Sequence, residues 1–324
     1  MSSNSNLHKA KKERNDEFYT QLSDIEKEMA HYTYQFKDKV VYCNCDDYRR
    51  SNFWKYFYDN FNELQLKKLT VTNYNIGEGA YRADYDGENM AVVPLQGNGD
   101  FRSEECVEFL KEADIVVTNP PFSLFREYIA QLMEYDKKFI VLGNMNALTY
   151  KEVFPYIKAN KLWFGPSISS GNRKFEVPAN YPLEAAGCGI DENGVRYIRV
   201  KGVRWFTNLD HEKCNKPIDL YKHYSNEYKH YDNYDAIEVS KVCEIPMDYD
   251  GIMGVPITFF DKYNPNQFEI VGCFNGYKEC DYVNGLLCGQ KTEYIDKNGN
   301  IKIWTGPTID KKTIYFRILI RHRK

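Results

Sequence analysis

The stretch Asp114-Ile-Val-Val-Thr-Asn119-Pro120-Pro121-Phe122 decides how this chain is read. Ile115 to Val117 is a short run of β-branched residues, the composition of a strand buried on both faces. Two prolines end it. Each fixes φ at about −65° and removes an N–H donor, so the turn that follows is rich in acceptors and poor in donors. The Asn119 amide oxygen and the Pro120 carbonyl can both point into a cleft, with the Phe122 ring beside them.

Working outward, Gly97-Asn98-Gly99-Asp100-Phe101 precedes a short helix with acidic residues at its start, Ser103 to Ala113. A helix carrying Phe125, Ile129, Leu132 and Met133 follows the prolines, and Lys138 to Gly143 reads as another buried strand. Towards the amino end, Ser23 and Glu26 form a capping-box pattern before Ile25, Met29, Tyr32 and Phe36 at helical spacing. Val40 to Cys43 is a strand, Asn44-Cys45-Asp46-Asp47 a polar turn, and Phe53, Trp54, Phe57 and Phe61 the stripe of the next helix. Leu69 to Tyr74 gives a second strand; residues 75–89 read as an exposed excursion before a third at Met90 to Leu95. Strands alternating with helices imply an α/β fold with a parallel, doubly wound sheet, which binds ligands at the carboxyl ends of its strands. Beyond about residue 165 the pattern changes to hairpins, at Ile190 to Arg196 and Tyr294 to Trp304, with a strand at Arg204 to Leu209. This divides the chain into a core, 1–165, and a region 166–324 that completes the sheet and carries a mostly antiparallel part.

Composition bounds the function classes. A formal net charge of −3 over 324 residues neither favours nor excludes a nucleic-acid partner, because a local basic face is compatible with it. Nine cysteines without a CxxC pair or zinc spacing read as free thiols in a reducing cytosol and give no metal site. No apolar run approaches the roughly 20 residues that span a bilayer, and the amino end MSSNSNLHKAKKERNDE lacks an apolar signal core, so a cytoplasmic protein without a membrane partner is expected. The 27 tyrosines suit stacking on bases, but compositional drift explains them as well.

The acceptor-rich turn has a specific chemical use. The lone pair of an exocyclic amine on a nucleobase is delocalised into the ring; two acceptors holding its hydrogens favour a pyramidal nitrogen whose lone pair is free to attack. A flat ring stacking on the base completes such a site. The competing reading is a rigid turn after a strand.

The tetrapeptide Asn119-Pro120-Pro121-Phe122 matches the [Asp/Asn/Ser]-Pro-Pro-[Tyr/Phe] hallmark of amino-methyltransferases. More narrowly, the chain resembles the EcoRI-type adenine DNA methyltransferases. The similar stretches include LHKAKK near the start, Asp16 to Gln21, Val40 to Asp47, Gly99 to Ser103, Ser123 to Tyr128, Trp205 to Asp210, Tyr231 to Ala236, Gly254 to Phe259 and Phe316 to Ile320. The resemblance implies a Rossmann-like S-adenosylmethionine-dependent methyltransferase sheet with an elaborated C-terminal target-recognition region. It also implies methyl transfer to the N6 amine of an adenine flipped out of duplex DNA, at a short palindrome resembling GAATTC. Asn119 and Pro120 would bind the amine and Phe122 would stack on the base. Phe18, Tyr19 and Thr20 would fold over the methionine end of the cofactor, with Asn44 and Asp46 at its ammonium group; Asp100 would accept from the cofactor's adenine, and Phe101 would line that ring.

Two departures stand out. Cys-Asn-Cys-Asp-Asp replaces the glycine-rich first turn of most methyltransferases, and only Asn73 and Asn75 stand where an acid usually grips the ribose. For Asp100, Asp46 and Asp47, helix capping is the competing role. Among basic residues, Arg199, Lys201 and Arg204 are the preferred DNA contacts, ahead of Lys9, Lys11, Lys12, Arg14, Arg173, Lys174, Arg196 and the tail Arg321 to Lys324. Base readout is expected within 165–324, with the tyrosine-rich stretch 221–234 as one candidate. The expected partners are double-stranded DNA and a restriction endonuclease of the same system without a stable complex, with a monomer acting on DNA. Cytosine amine methylation, an RNA base or protein glutamine amide substrate, and an inactive DNA- or cofactor-binding relative remain open.

Overall fold

The computed structural model describes residues 18–75, 79–179, 181–184, 187–274, 286–287, 291–295 and 299–324. Lys9, Lys11, Lys12 and Arg14 lie outside the described residues, as does the LHKAKK stretch. The chain forms two compact units, and both are discontinuous in sequence. The first comprises the chain up to Ala147 together with Phe164–His211; the second comprises Leu148–Trp163 together with Glu212–Lys324.

The first unit begins with β1 (Tyr19–Thr20), α1 (Leu22–Met29), β2 (Val40–Asn44), α2 (Asn52–Asp59), β3 (Lys68–Thr72), β4 (Tyr81–Tyr85) and β5 (Met90–Pro94). It continues with α3 (Glu104–Glu112), β6 (Ile115–Thr118), α4 (Phe125–Glu134), β7 (Lys138–Asn144), β8 (Trp163–Phe164), β9 (Asn172–Glu176), β10 (Cys188–Ile190), β11 (Arg196–Lys201) and β12 (Val203–Thr207). An eight-stranded sheet runs in the order β5-β4-β3-β2-β6-β7-β12-β8. Its centre, β3-β2-β6-β7, is parallel, with Val41 opposite both Leu69 and Ile115 and Val117 opposite Ile140. Val41, Cys43, Val116, Val117, Ile140 and Val141 are all fully buried, which is why these strands read as continuous apolar runs. On α2, Phe53, Trp54 and Phe57 face the core, and each such ring contributes roughly 1.5–3 kcal/mol by leaving water. Ser51 caps that helix by accepting from Phe53 N and Trp54 N.

A second sheet, β1-β9-β11-β10, is antiparallel throughout. Phe175, Ile198 and Val200 are buried and belong to the core that also holds Phe18. Alternation sends Lys174, Tyr197, Arg199 and Lys201 to the other face.

The second unit contains α5 (Phe154–Lys158), β13 (Ile237–Glu238), β14 (Met253–Val255), β15 (Phe268–Phe274), β16 (Leu286–Leu287), β17 (Thr292–Ile295), β18 (Ile301–Trp304), β19 (Thr308–Ile309), β20 (Lys312–Thr313) and β21 (Arg317–His322). Five of its strands form a sheet, β13-β14-β21-β15-β16, around the buried Ile318, Leu319 and Ile320. That sheet is mixed, since β13–β14 and β15–β16 pair parallel.

Several sequence expectations are corrected. Residues 75–89 contain β4, which pairs antiparallel with both β3 and β5, so Met90–Pro94 is an antiparallel edge strand and not a further parallel one. The first helix starts at Leu22 with Gln21 as its N-cap and no side-chain cap; Ser23 already lies inside it. Beyond residue 165, β12 returns to pair with β7, Trp205 opposite Leu142, and so adds to the large sheet from the later part of the chain. Residues 148–163 belong to the other unit, the division falling inside β8 between Trp163 and Phe164.

One backbone approach fixes the third turn of the sheet. Gly99 has φ +76° and lies so close to β3's end that a Cβ there would stand 1.9 Å from the Asn73 carbonyl oxygen. Gly99→Ala is expected to lower the unfolding free energy by roughly 2 kcal/mol or more. Denaturant titration checks this, and an unchanged midpoint would show that the turn can open without loss.

Candidate active site

Three polar turns meet at the carboxyl ends of the parallel strands. The first follows β2, where Cys45 adopts φ +63°, a left-handed conformation that glycine usually takes. Asp46 N donates to Thr72 O at 3.0 Å, which leans this turn onto the end of β3. The Asp46 carboxylate accepts from Ser51 Oγ at 2.8 Å and from Thr118 Oγ1 at 2.7 Å. It is therefore not the cap of α2, since Ser51 is; it ties that cap to the last residue before Asn119. The Asn44 side chain is buried, and its Oδ1 accepts from Tyr128 Oη, so this amide anchors the turn from below.

The second turn is Asn119–Phe122. Asn119 Nδ2 donates to the Phe18 carbonyl at 2.7 Å. A carbonyl only accepts, so this contact decides which way round the amide sits and sends Oδ1 to the other side. Oδ1 is buried with no hydrogen-bond partner among the described residues. Pro120 is buried, and Phe122 is half-buried with its ring 5.9 Å from Phe18 and 6.3 Å from Phe175, both edge-on. Phe18 also meets Tyr181 at 6.0 Å. Two residues on, Thr20 accepts at its carbonyl from Asn52 Nδ2, while its buried Oγ1 has no partner among the described residues. Tyr19, half-buried, stands between them opposite Glu176.

The third turn precedes α3. Asp100 accepts from Arg102 N and Nε at 2.9 Å through Oδ1 and from Nη2 at 2.7 Å through Oδ2, and Arg102 Nη1 reaches Glu127 Oε2 at 2.7 Å. The Arg102 guanidinium holds the Asp100 carboxyl below the usual carboxylate range, so Asp100 stays an acceptor. Phe101 is buried, with its ring 5.0 Å from that of Tyr128.

The structure thus brings together Phe18, Thr20, Asn119, Pro120 and Phe122 in one group, and Asn44 and Phe101 around Tyr128. Tyr128 itself was missed as a site residue, because its place in the buried stripe of α4 makes it look like ordinary core; only its hydroxyl distinguishes it. Asn73 is committed to structure, with Oδ1 accepting from Tyr81 N at 2.8 Å. The carboxylate the fold carries towards that strand end is Asp47, which accepts from Tyr81 Oη. Arg199 and Lys201 are exposed on the outer face of the antiparallel sheet. Arg204 is corrected as a phosphate contact: it is 3% exposed and donates to the carbonyls of Val203 and Ser169, at 2.9 and 2.7 Å. A cavity of about 570 Å³ lies at the opposite sheet edge, beside the strand starts Lys39, Asp114 and Lys138, and contains none of these residues. Among the described residues no cluster of metal-binding side chains occurs, and no helix is long and apolar enough to cross a membrane.

With this geometry in view, the family of adenine-specific methyltransferase EcoRI matches residues 6–323. The chain belongs to this family. It is 45% identical over 339 residues to the type II methyltransferase M.EcoRI of Escherichia coli, covering 98% of this chain and 96% of that one. It is also similar to type II methyltransferases of Mycoplasma genitalium (M.MgeORF184P, 40% identity, 98% and 99% covered) and Mycoplasma pneumoniae (M.MpnI, 39%, 98% and 98%). No solved structure gives a significant match. As a member of the adenine-specific methyltransferase EcoRI family the chain is an enzyme, and the three turns are its candidate active site.

Two outcomes test the supports of that site. Tyr128→Phe keeps the ring but leaves the buried Asn44 oxygen without its donor, and is expected to cost about 1–3 kcal/mol in denaturant unfolding. A loss much below that range would remove the hydroxyl from its anchoring role. Asp100, lowered in the folded protein, contributes stability above the ordinary carboxylate range that is lost as pH falls through its own lower value. Arg102→Gln is expected to move the Asp100 midpoint, followed by carboxyl-carbon NMR, upward to the ordinary range; identical midpoints would dismiss the ion pair as the cause.

Proposed function

We propose that this enzyme transfers a methyl group from S-adenosylmethionine to the N6 amine of an adenine flipped out of duplex DNA. One observation carries the reading: the Asn119 Oδ1 atom, buried, unpartnered and fixed in direction by the Phe18 carbonyl. An unpaired buried acceptor costs roughly 1–3 kcal/mol, and a ligand that supplies an N–H relieves that cost. A membership in an adenine-specific family makes the adenine amine the fitting donor.

The residues also fit the cofactor. Its adenine would donate to the ionised Asp100 beside Phe101, its ammonium would face Asp46 at the first turn, and Phe18 to Thr20 would cover its methionine end, where Thr20 Oγ1 is a second unpartnered buried atom. When bound, S-adenosylmethionine supplies an electrophilic methyl group. Asn119 Oδ1 and the Pro120 carbonyl accept the two amine hydrogens, which favours a pyramidal nitrogen; Phe122 stacks on the base; the rings of Phe18, Phe175 and Tyr181 exclude water. No strong base is required, because the amine releases a proton only after it has become cationic.

On this reading the parallel centre is the Rossmann-like sheet of the S-adenosylmethionine-dependent methyltransferases, and the second unit recognises the target. The exposed Arg199 and Lys201 meet phosphates. The site would be a short palindrome resembling GAATTC, modified by a monomer, with a restriction endonuclease acting on the same sequence without a stable complex.

Labelled donor incubated with adenine-containing duplex should leave label in N6-methyladenine; label in cytosine, RNA or protein instead would redirect the assignment. Asn119→Ala is expected to lower turnover about 10²–10³-fold, the loss typical of one preorganised electrostatic contact, with donor affinity nearly unchanged. Undiminished turnover would falsify the role of Asn119.

A further inference from the structure

We propose that the two-stranded ribbon β17–β18 enters a groove of the substrate DNA and that Ile301 and Ile303 touch thymine methyl groups there; this rests on duplex DNA being the substrate.

Among the described residues the ribbon pairs with itself, Glu293 opposite Ile303 and Tyr294 opposite Lys302, and joins none of the other sheets. Its two faces are unlike. On one, the Tyr294 and Trp304 rings meet at 6.2 Å, and Trp304 lies so close over Gly306 that a Cβ there would stand 2.6 Å from the indole. Tyr294 and Trp304 are half-buried and their contact helps the ribbon hold its shape, while Lys302 on the same face is exposed. On the other, Ile301 is 69% exposed and Ile303 66%, two residues apart and side by side. Paired β-branched side chains left open to water stabilise nothing in the fold itself.

The surroundings name the occupant. Lys291 stands at the foot of the ribbon, and β20, which lies beside β17, carries Lys312 next to Lys311. All three are exposed. Glu293, opposite Ile303, is exposed on the same face, and a carboxylate there can accept from a cytosine amine. Two isoleucines and one acceptor between cationic flanks match a duplex, whose phosphates line the rims of a groove and whose base edges and thymine methyls project from its floor. The major groove admits a two-stranded ribbon. A second copy of the chain fits less well, because a two-fold contact through this face would bring like-charged lysines together.

The test uses the full-length enzyme with a duplex carrying its methylated site, mapped on DNA from cells that express it, and the same duplex with deoxyuridine in place of every thymidine. Fluorescence anisotropy is measured for the wild type and for Ile301→Ala with Ile303→Ala. Both positions are exposed, so the double variant should unfold at the wild-type temperature. The expected result is roughly five- to tenfold weaker binding of the thymidine duplex by the variant, comparable to a mismatch in a recognition site. The wild type should lose affinity on the deoxyuridine duplex, and the variant should not. Wild-type affinity in the variant overturns the inference while leaving the methyltransferase reading intact. A wild-type dimer in sedimentation that the variant dissolves also overturns it, by assigning the face to a second copy. If the wild type neither binds nor methylates any duplex, the reading beneath it fails as well.

Discussion

The hydrogen bond from Asn119 Nδ2 to the Phe18 carbonyl is the constraint on which the site depends. It is made between a side chain at the end of a central parallel strand and the backbone of a segment a hundred residues earlier, just before β1. Without it the amide could turn over, and the buried atom left over could be a donor. With it, that atom is an acceptor that nothing among the described residues satisfies. Everything else in the first unit serves to keep these partners in place: Asp46 and Thr118 hold the strand end, β9 holds β1, and the aromatic cluster of Phe18, Phe122, Phe175 and Tyr181 packs around them.

Charge is handled differently at the other end of the site. Asp100 is only partly covered, so its ion pair with Arg102 contributes little to stability. Its value is in direction. A guanidinium that takes both carboxylate oxygens from one side leaves the remaining lone pairs aimed the other way and keeps them ionised. The same arginine reaches Glu127 in the first turn of α4, the helix that starts just beyond the proline turn.

Much of this was legible in the sequence, for identifiable reasons. The apolar run Ile115–Val117 and its prolines announce a buried strand and a rigid turn through local chemistry alone, and the structure has both. The polar turns at Asn44–Asp47 and Gly99–Phe101 follow from the alternation of strands with helices. What escaped was non-local or masked by a second role. β4 lies in a stretch of Gly, Asp and Glu whose pairing depends on β3 and β5, not on its own pattern. Phe175 and Tyr181 join Phe18 only because the antiparallel sheet folds back, which no periodicity signals. Arg204 carries the charge of a surface residue, yet two carbonyls hold its guanidinium inside a strand that is buried throughout.

The discontinuity of the first unit has a consequence for the timing of activity. The strand that steadies β1, and with it the carbonyl that orients Asn119, comes from residues 172–176, and β12 does not complete the large sheet until residue 207. A nascent chain emerging from the ribosome therefore carries the proline turn long before it carries the wall that gives it meaning, and such distant pairing folds slowly. On the proposed reading of the site, methylating competence would come late in synthesis, and products truncated before β9 would lack the contact that orients Asn119.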